Sequence, residues 1–251
     1  VGRGCKLVYN TGRSLEDFQA ARREWDLLTP DVFIGGCGSQ VYTFDAKGYP
    51  VLDHAWIERL KIGWGDKATV TAAVETNKVL TERYGKIDQK KESRTNEYMY
   101  SCKIVVPEGS SLTVGQAKED FEGALREAGL NVTIAVASVA YSTESTVTGM
   151  QEGESYIFVD VLPAAAGKGA AQVYVRKLLE FDESDVVVAG DSGNDVSMFT
   201  TGNERGIMVG NARAELVAVK RPHHTHAKGR CAAGVLEGLR NYGLVKGLAP
   251  V

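Results

Sequence analysis

One stretch decides the fold, Val186-Val187-Val188-Ala189-Gly190-Asp191-Ser192-Gly193-Asn194-Asp195, in which an apolar run ends in two carboxylates. The run is short, β-branched and uninterrupted, which predicts a strand buried on both faces of a parallel sheet. Asp191 would follow the carboxyl end of that strand, where open α/β sheets bind ligands. Asp191 and Asp195 would share one loop, and such hard oxygen ligands suit Mg²⁺. The alternative is a plain turn, because Asp, Gly and Asn are common in turns for backbone reasons.

The composition indicates an ordinary globular protein. The 251 residues suffice for one large or two ordinary domains, and the net charge of −3 gives no electrostatic footprint for nucleic acid or an anionic membrane. No apolar run approaches the length of a membrane span. Four scattered cysteines without metal-ligand spacing favour a reducing compartment. We therefore expect a cytoplasmic protein, or a protein of an organelle stroma if a transit peptide has been removed.

The first strand of the chain leads into a turn that could hold phosphate. Residues 7–9 read as a strand, and Ser14 with Asp17 three residues later is typical of a helix N-cap with an acidic first turn. The Thr11 hydroxyl and the free N–H groups at such a turn can bind an anion. An ordinary capped turn is the alternative.

The pattern of elements predicts a division into three parts. Residues 32–36 read as a strand and residues 38–48 as a hairpin, which suggests the sheet of a doubly wound domain. From about residue 55, helices and alternating strands follow α+β order, and the polar stretch 86–94 reads as a solvated face. We expect a core domain in residues 1–54, an inserted α+β cap in 55–162 and the rest of the core in 163–251.

A second group of candidate residues follows the predicted return to the core at residues 160–163. Lys168 stands between two glycines at the start of a helical pattern, where its ammonium could reach a phosphate. An exposed lysine in a flexible turn is the alternative. The histidines in residues 222–226 lack ligand spacing on a regular element, so we expect a polar surface loop there.

These motifs, in this order, resemble those of the haloacid dehalogenase-like phosphatases, and within them the sucrose-phosphate phosphatase group. The resemblance runs nearly end to end, through residues 7–14, 28–31, 160–169, 190–195 and 230–234. It implies an α/β fold with a doubly wound, Rossmann-like parallel sheet as core and an inserted α+β cap that closes over the site.

The resemblance also implies roles for individual residues. Thr11, the Gly12 amide and Lys168 would bind phosphate, Asp191 would bind Mg²⁺, and Asp195 and Asn194 would support metal and phosphate. Three further residues fall where the family contacts the sugar: Ser39 and Gln40, in place of a Gly-Thr-Glu-Ile segment, and Tyr100, near a frequent lysine of the cap. Since Gln40 and Tyr100 change polar groups, a different sugar or weaker specificity is expected.

The sequence departs from the family in one motif. The family's first strand ends in Asp-x-Asp-x-Thr, whose first aspartate attacks phosphorus and whose second acts as general acid and base. No such segment occurs here. We therefore expect a sheet that lacks its first strand in this chain, which would belong to a longer protein that supplies the nucleophile.

The predicted function is that of a Mg²⁺-dependent phosphatase acting on a sugar phosphate such as sucrose 6-phosphate, through an aspartyl-phosphate formed outside this chain. The alternative is a non-catalytic phosphosugar-binding or assembly domain, a pseudophosphatase in a larger protein or complex. Neither interpretation involves nucleic acid or a membrane span.

Overall fold

The computed structural model describes residues 4–85, 87, 89–90, 93–140 and 155–245. The chain divides into two compact units, Val1–Gly167 and Lys168–Val251. Each unit combines helices with a sheet that contains parallel strand pairs, so the predicted α/β class is confirmed. Among the helices of the described ranges, none has the length and apolar character needed to cross a membrane.

The first unit begins with a mixed four-stranded sheet. Its strands, in spatial order, are β1 (Val8–Asn10), β2 (Val32–Gly35), β3 (Gln40–Phe44) and β4 (Pro50–Leu52). β1 and β2 are parallel, whereas β3 is antiparallel to both β2 and β4. The predicted hairpin is therefore confirmed as β3 and β4.

Helix α1 (Leu15–Glu24) joins β1 to β2 and begins at the predicted cap. The Ser14 hydroxyl oxygen accepts a hydrogen bond from the Asp17 N–H at 3.1 Å, which satisfies one of the free donors of the first turn. Phe18 of α1 stacks on Phe33 of β2 with ring centroids 4.3 Å apart, so the helix is fixed on the sheet by aromatic packing.

The first unit also contains a three-stranded antiparallel sheet in the order β5 (Tyr100–Val106), β7 (Ser155–Pro163), β6 (Val132–Ala140). One face packs against α3 (Lys67–Glu75), α4 (Lys78–Tyr84) and α5 (Val114–Glu127), while α2 (His54–Lys61) precedes them in the chain. Its core includes the fully buried Phe121 and Leu125. The α+β order expected for residues 55–162 matches these elements, and the division at residues 54 and 162 stays a prediction.

The segment at the predicted return to the core is regular strand. Residues 160–163 form the end of β7, which pairs with β5 and β6. Asp160 is 7% exposed. The polar stretch 86–94 lies only partly within the described residues.

The second unit contains a parallel three-stranded sheet. The strands lie in the order β10 (His224–His226), β9 (Arg205–Met208), β8 (Val187–Gly190). Within residues 168–245, the α-helices are α6 (Lys168–Leu178), α7 (Val196–Thr200), α8 (Ala214–Val217) and α9 (Cys231–Asn241). Met198, Phe199 and Leu216 pack with Val188 and Met208 in its core.

Two predictions for this unit are wrong. β8 is not buried on both faces, because Val188 packs in the core whereas Ala189 is exposed. The expected histidine loop is partly strand β10. There His224 is buried with its ring edge-on to Phe199, and burial, followed by the charges of neighbouring His223 and Arg221, lowers its pKa to about 4.

Two glycines in helices offer a matched test of this packing. At Gly169 of α6 a Cβ atom would lie 2.3 Å from the Ser197 carbonyl oxygen, whereas at Gly123 of α5 it would meet nothing within 4 Å. We expect Gly169→Ala to lower the free energy of unfolding by about 2 kcal/mol through overpacking. Gly123→Ala should raise it by about 0.5 kcal/mol through helix propensity. Urea denaturation measures both, and an equal response of the two variants would contradict this packing.

Candidate functional site

The loop that follows β8 is closed by the carboxylate of Asp195. Asp195 ends the 3-10 turn Gly193–Asp195, which leads directly into α7. Its Oδ2 accepts hydrogen bonds from the backbone N–H groups of Asp191 at 2.9 Å and Ser192 at 3.1 Å. This close approach requires a glycine at the end of β8, because a Cβ atom on Gly190 would lie 2.8 Å from the same oxygen.

Lys168, the first residue of α6, is held against this loop in the second unit. Its Nζ lies 2.6 Å from Asp195 Oδ1 and 2.9 Å from Asn194 Oδ1, and both side chains of the ion pair are only 6% exposed. Asn194 Oδ1 also accepts a hydrogen bond from the Ser192 hydroxyl at 2.9 Å. The helix start is fixed as well, because the Gly169 N–H donates to Ser197 Oγ at 3.0 Å. The structure thus brings Lys168, Asn194 and Asp195 together.

Asp191 has a different environment from Asp195, although both were predicted as one pair. Its side chain is exposed, and its backbone carbonyl accepts a hydrogen bond from the Arg213 N–H at 2.7 Å. Desolvation by the surrounding loop and then the negative charge of Asp195 raise the pKa of Asp191, against the opposing charges of Lys168 and Arg213. An excess of negative charge on an accessible carboxylate is what a cation would neutralise.

The donor set of this loop fits Mg²⁺ with few protein ligands. Both oxygens of Asp195 already accept hydrogen bonds, which leaves Asp191 as the accessible carboxylate of the loop. Mg²⁺ commonly keeps several waters and binds through one or two carboxylates. Within the ranges that the structure describes, no group of three or more His, Cys, Asp or Glu side chains could hold a metal. Asp191 therefore fits a largely hydrated Mg²⁺, with Asp195 supporting the loop.

Thr11 and Gly12 lie in the first unit, in the turn between β1 and α1. The Thr11 N–H donates to the Ile34 carbonyl at 2.9 Å, and Thr11 Oγ1 accepts a hydrogen bond from the Arg13 N–H at 3.2 Å. The Thr11 side chain is half-buried and Gly12 is exposed. This geometry leaves the hydroxyl proton of Thr11 available to an anion.

The predicted sugar contacts differ in their accessibility. Ser39 is fully buried, donating its hydroxyl proton to the Gly36 carbonyl at 2.8 Å and accepting from Asn96 Nδ2 at 2.7 Å. Tyr100 is also fully buried, on the face of β5 that packs against the helices, and its hydroxyl donates to Glu75 at 3.1 Å. Neither placement supports direct contact with a sugar. Gln40, at the start of β3, is half-buried.

The other face of the three-stranded sheet carries polar residues that the sequence analysis missed. Lys103 Nζ lies 4.1 Å from the ring centroid of Tyr156, and Lys90 Nζ lies 4.5 Å from that of Phe158, so each ammonium is held by a cation–π contact. The period-two pattern of β5 could have revealed this, because Tyr100 shares a face with Cys102 and Ile104 whereas Lys103 points the opposite way.

The buried ion pair predicts a large stability effect. Lys168→Met leaves the Asp195 carboxylate buried without its cation and should lower the free energy of unfolding by about 3 kcal/mol. The control is Lys177→Met in the same helix, where the lysine is exposed and the expected change is under about 0.5 kcal/mol. Urea denaturation distinguishes the two variants. If Lys168→Met lowers the free energy of unfolding as little as the control does, the ion pair does not stabilise the fold as proposed.

The raised pKa of Asp191 predicts a stabilising substitution. Since the folded state favours the protonated acid, the carboxylate costs stability above its folded pKa, and this cost disappears below its unfolded pKa. Without added metal, Asp191→Asn should raise the melting temperature at neutral pH by about 1–2 °C, a small value because the side chain is exposed. The difference should vanish near pH 3. A melting temperature that falls at neutral pH would contradict this assignment.

Known proteins match almost the whole length of this chain. A family model described as sucrose-6F-phosphate phosphohydrolase matches residues 2–243. The probable sucrose-phosphatase 3a of Arabidopsis thaliana is 29% identical over 253 residues, covering 97% of this chain and 52% of that protein. The mannosylfructose-phosphate phosphatase of Agrobacterium fabrum is 30% identical over 242 residues, covering 95% of this chain and 83% of that protein. The chain thus spans about half the length of the plant relatives.

A solved structure shares the fold. The sucrose-phosphatase of Synechocystis sp. PCC6803, in complex with sucrose and phosphate, superimposes with a TM-score of 0.73 at 24% identity, over 95% of this chain and 84% of that chain. Since the family model matches nearly every described residue, the chain belongs to the sucrose-6F-phosphate phosphohydrolase family.

Proposed function

We propose that this chain belongs to an enzyme that hydrolyses a sugar phosphate with the help of Mg²⁺, sucrose 6-phosphate being the first substrate to test. The observation that carries the proposal is the loop after β8, which fixes the Lys168 ammonium beside Asn194 and leaves the Asp191 carboxylate exposed. Phosphoryl transfer depends mainly on positioning and on neutralising charge, and this loop supplies groups for both. The family and its sugar-phosphatase members support the same substrate class.

Each residue has a defined part in the proposal. In the second unit, the Lys168 ammonium binds phosphate oxygens. In the first unit, the Thr11 hydroxyl and the Gly12 N–H are groups that can bind an anion. Asp191 holds Mg²⁺, which neutralises charge on the phosphate. Asp195 keeps Lys168 in place.

The attacking carboxylate belongs to residues outside this sequence, in which no Asp-x-Asp-x-Thr segment occurs. That aspartate attacks phosphorus and displaces the sugar oxygen, which leaves as a hydroxyl after protonation. Water then hydrolyses the aspartyl-phosphate to inorganic phosphate and restores the carboxylate.

For the sugar, the proposal relies on accessible groups. Gln40 can donate hydrogen bonds to sugar hydroxyls and accept them, and Lys103 and Lys90 offer donors on the face of their sheet that is opposite the helices. Ser39 and Tyr100, being buried, shape the protein around them and have no proposed contact with the sugar.

The test is phosphate release by the full-length protein that contains this chain. We expect hydrolysis of sucrose 6-phosphate or a related disaccharide phosphate that EDTA abolishes and Mg²⁺ restores. Asp191→Asn should lower kcat/KM at least about 100-fold. The matched control is Asp185→Asn, an exposed aspartate just before β8, which should retain the parental rate.

Two results would count against the proposal. Unchanged Mg²⁺-dependent hydrolysis by the Asp191→Asn variant would contradict the assignment of Asp191 as the residue that holds Mg²⁺. If the full-length protein binds sugar phosphates but releases no phosphate, the non-catalytic alternative, which the absent Asp-x-Asp-x-Thr motif favours, becomes the better account. The predicted compartment and membership of a larger assembly stay predictions.

A further inference from the structure

A buried carboxylate joins the two sheets of the first unit. Asp160 of β7 lies opposite Ser101 in the register with β5, and its Oδ1 accepts a hydrogen bond from the Ser101 hydroxyl. Its Oδ2 accepts from the thiol of Cys37 at 3.1 Å. Cys37 is 1% exposed and belongs to the turn between β2 and β3 of the other sheet. One carboxylate thus holds donors from both sheets.

The turn that Asp160 holds has a strained backbone. Gly36, Cys37 and Gly38 have φ angles of +53°, +54° and +93°, and such values are unusual for a residue with a side chain. A Cβ atom on Gly36 would lie 2.4 Å from Ser39 Oγ, so the turn is also tightly packed. A left-handed cysteine persists only where surrounding contacts hold it, and the bond to Asp160 is such a contact.

A second tether reaches the same turn. Asn96 Nδ2 donates to Ser39 Oγ at 2.7 Å. The segment before Asn96 is itself fixed, because the Lys67 ammonium of α3 donates to the carbonyls of Ser93, Arg94 and Asn96. The turn is therefore anchored at Cys37 by Asp160 of the three-stranded sheet and at Ser39 by Asn96 of the loop that precedes β5.

The anchored turn supports the residues proposed to bind substrate in this unit. The Cys37 N–H donates to the Thr11 carbonyl at 3.0 Å, and the Gly36 N–H donates to the Arg13 carbonyl at 3.0 Å. Gln40 follows the turn directly as the first residue of β3. A shift of Cys37 would therefore displace the backbone at Thr11 and the start of β3 together.

We propose that Asp160 is a positioning residue, which acts through the Cys37 thiol to fix the 36–39 turn and thereby the Thr11 and Gln40 positions needed for sugar-phosphate binding. The binding half of this statement rests on the proposed function. The structural half, that Asp160 holds the turn, does not.

The structural half is tested by thiol accessibility in the full-length protein. N-ethylmaleimide labelling with peptide mass spectrometry follows Cys37 and Cys102 in the same sample. We expect Asp160→Ala to speed Cys37 labelling about tenfold, with a smaller rise for Asp160→Asn, which keeps an acceptor. Cys102 serves as the internal control: it is fully buried on the other face of β5, and burial, then the Asp160 charge, raises its pKa. Its labelling should stay slow.

The binding half is tested by kinetics on sucrose 6-phosphate. Asp160→Ala and Cys37→Ala should each raise KM about fivefold and change kcat less than about twofold, since they disturb binding geometry. The double variant should be no worse than Asp160→Ala alone, because that variant has already lost the hydrogen bond between Cys37 and Asp160. Cys37→Ser, which keeps a donor, should restore most of the affinity, and Cys102→Ala controls for the loss of a buried thiol. If Asp160→Ala fails to fold, Asp160→Asn replaces it.

Unchanged Cys37 labelling in the Asp160 variants overturns the proposal. Faster labelling with an unchanged KM in an active enzyme also overturns it, and so does an additive double variant. If the parental protein neither binds nor hydrolyses sugar phosphates, the proposed function fails; faster Cys37 labelling then still supports the role of Asp160 in holding the turn.

Discussion

The buried ion pair between Lys168 and Asp195 is the interaction on which the second unit's loop depends. Removing an ammonium and a carboxylate from water costs several kcal/mol for each ion, and the cost is recovered only with further hydrogen bonds. Asp195 makes those bonds, accepting two backbone N–H groups on the oxygen that Lys168 does not use. The turn, the end of β8 and the start of α6 are consequently held at one point.

The same pair separates the tasks of two aspartates that look equivalent in the sequence. Asp195 is buried, and its charge is paired with that of Lys168. Asp191 lies four residues earlier and remains exposed, and desolvation by the loop, followed by the charge of Asp195, raises its pKa. The environment of each residue, more than its type, thus makes Asp195 a structural carboxylate and leaves Asp191 accessible.

Local signals predicted most elements well. The Ser14 cap and the hairpin of β3 and β4 follow from side-chain chemistry and spacing within a few residues. Predictions that depended on packing between distant parts of the chain were less successful. The apolar strand before Asp191 has an exposed face. The Ser39 hydroxyl accepts a hydrogen bond from Asn96, a residue far along the chain. Tyr100 was assigned to a position where the family contacts the sugar. The two-residue period of a strand instead places Tyr100 on the buried face of β5 and its neighbours on the opposite face.

The turn at Cys37 has a consequence for the sequence variation that the fold tolerates. Its left-handed backbone favours glycine or asparagine, whereas the bond to Asp160 requires a donor of about the size of a thiol or hydroxyl. Few residue types meet both demands. In a saturation library, position 37 should therefore accept a narrow set of substitutions, and replacements that suit the backbone alone should survive best where position 160 has also changed to an uncharged residue.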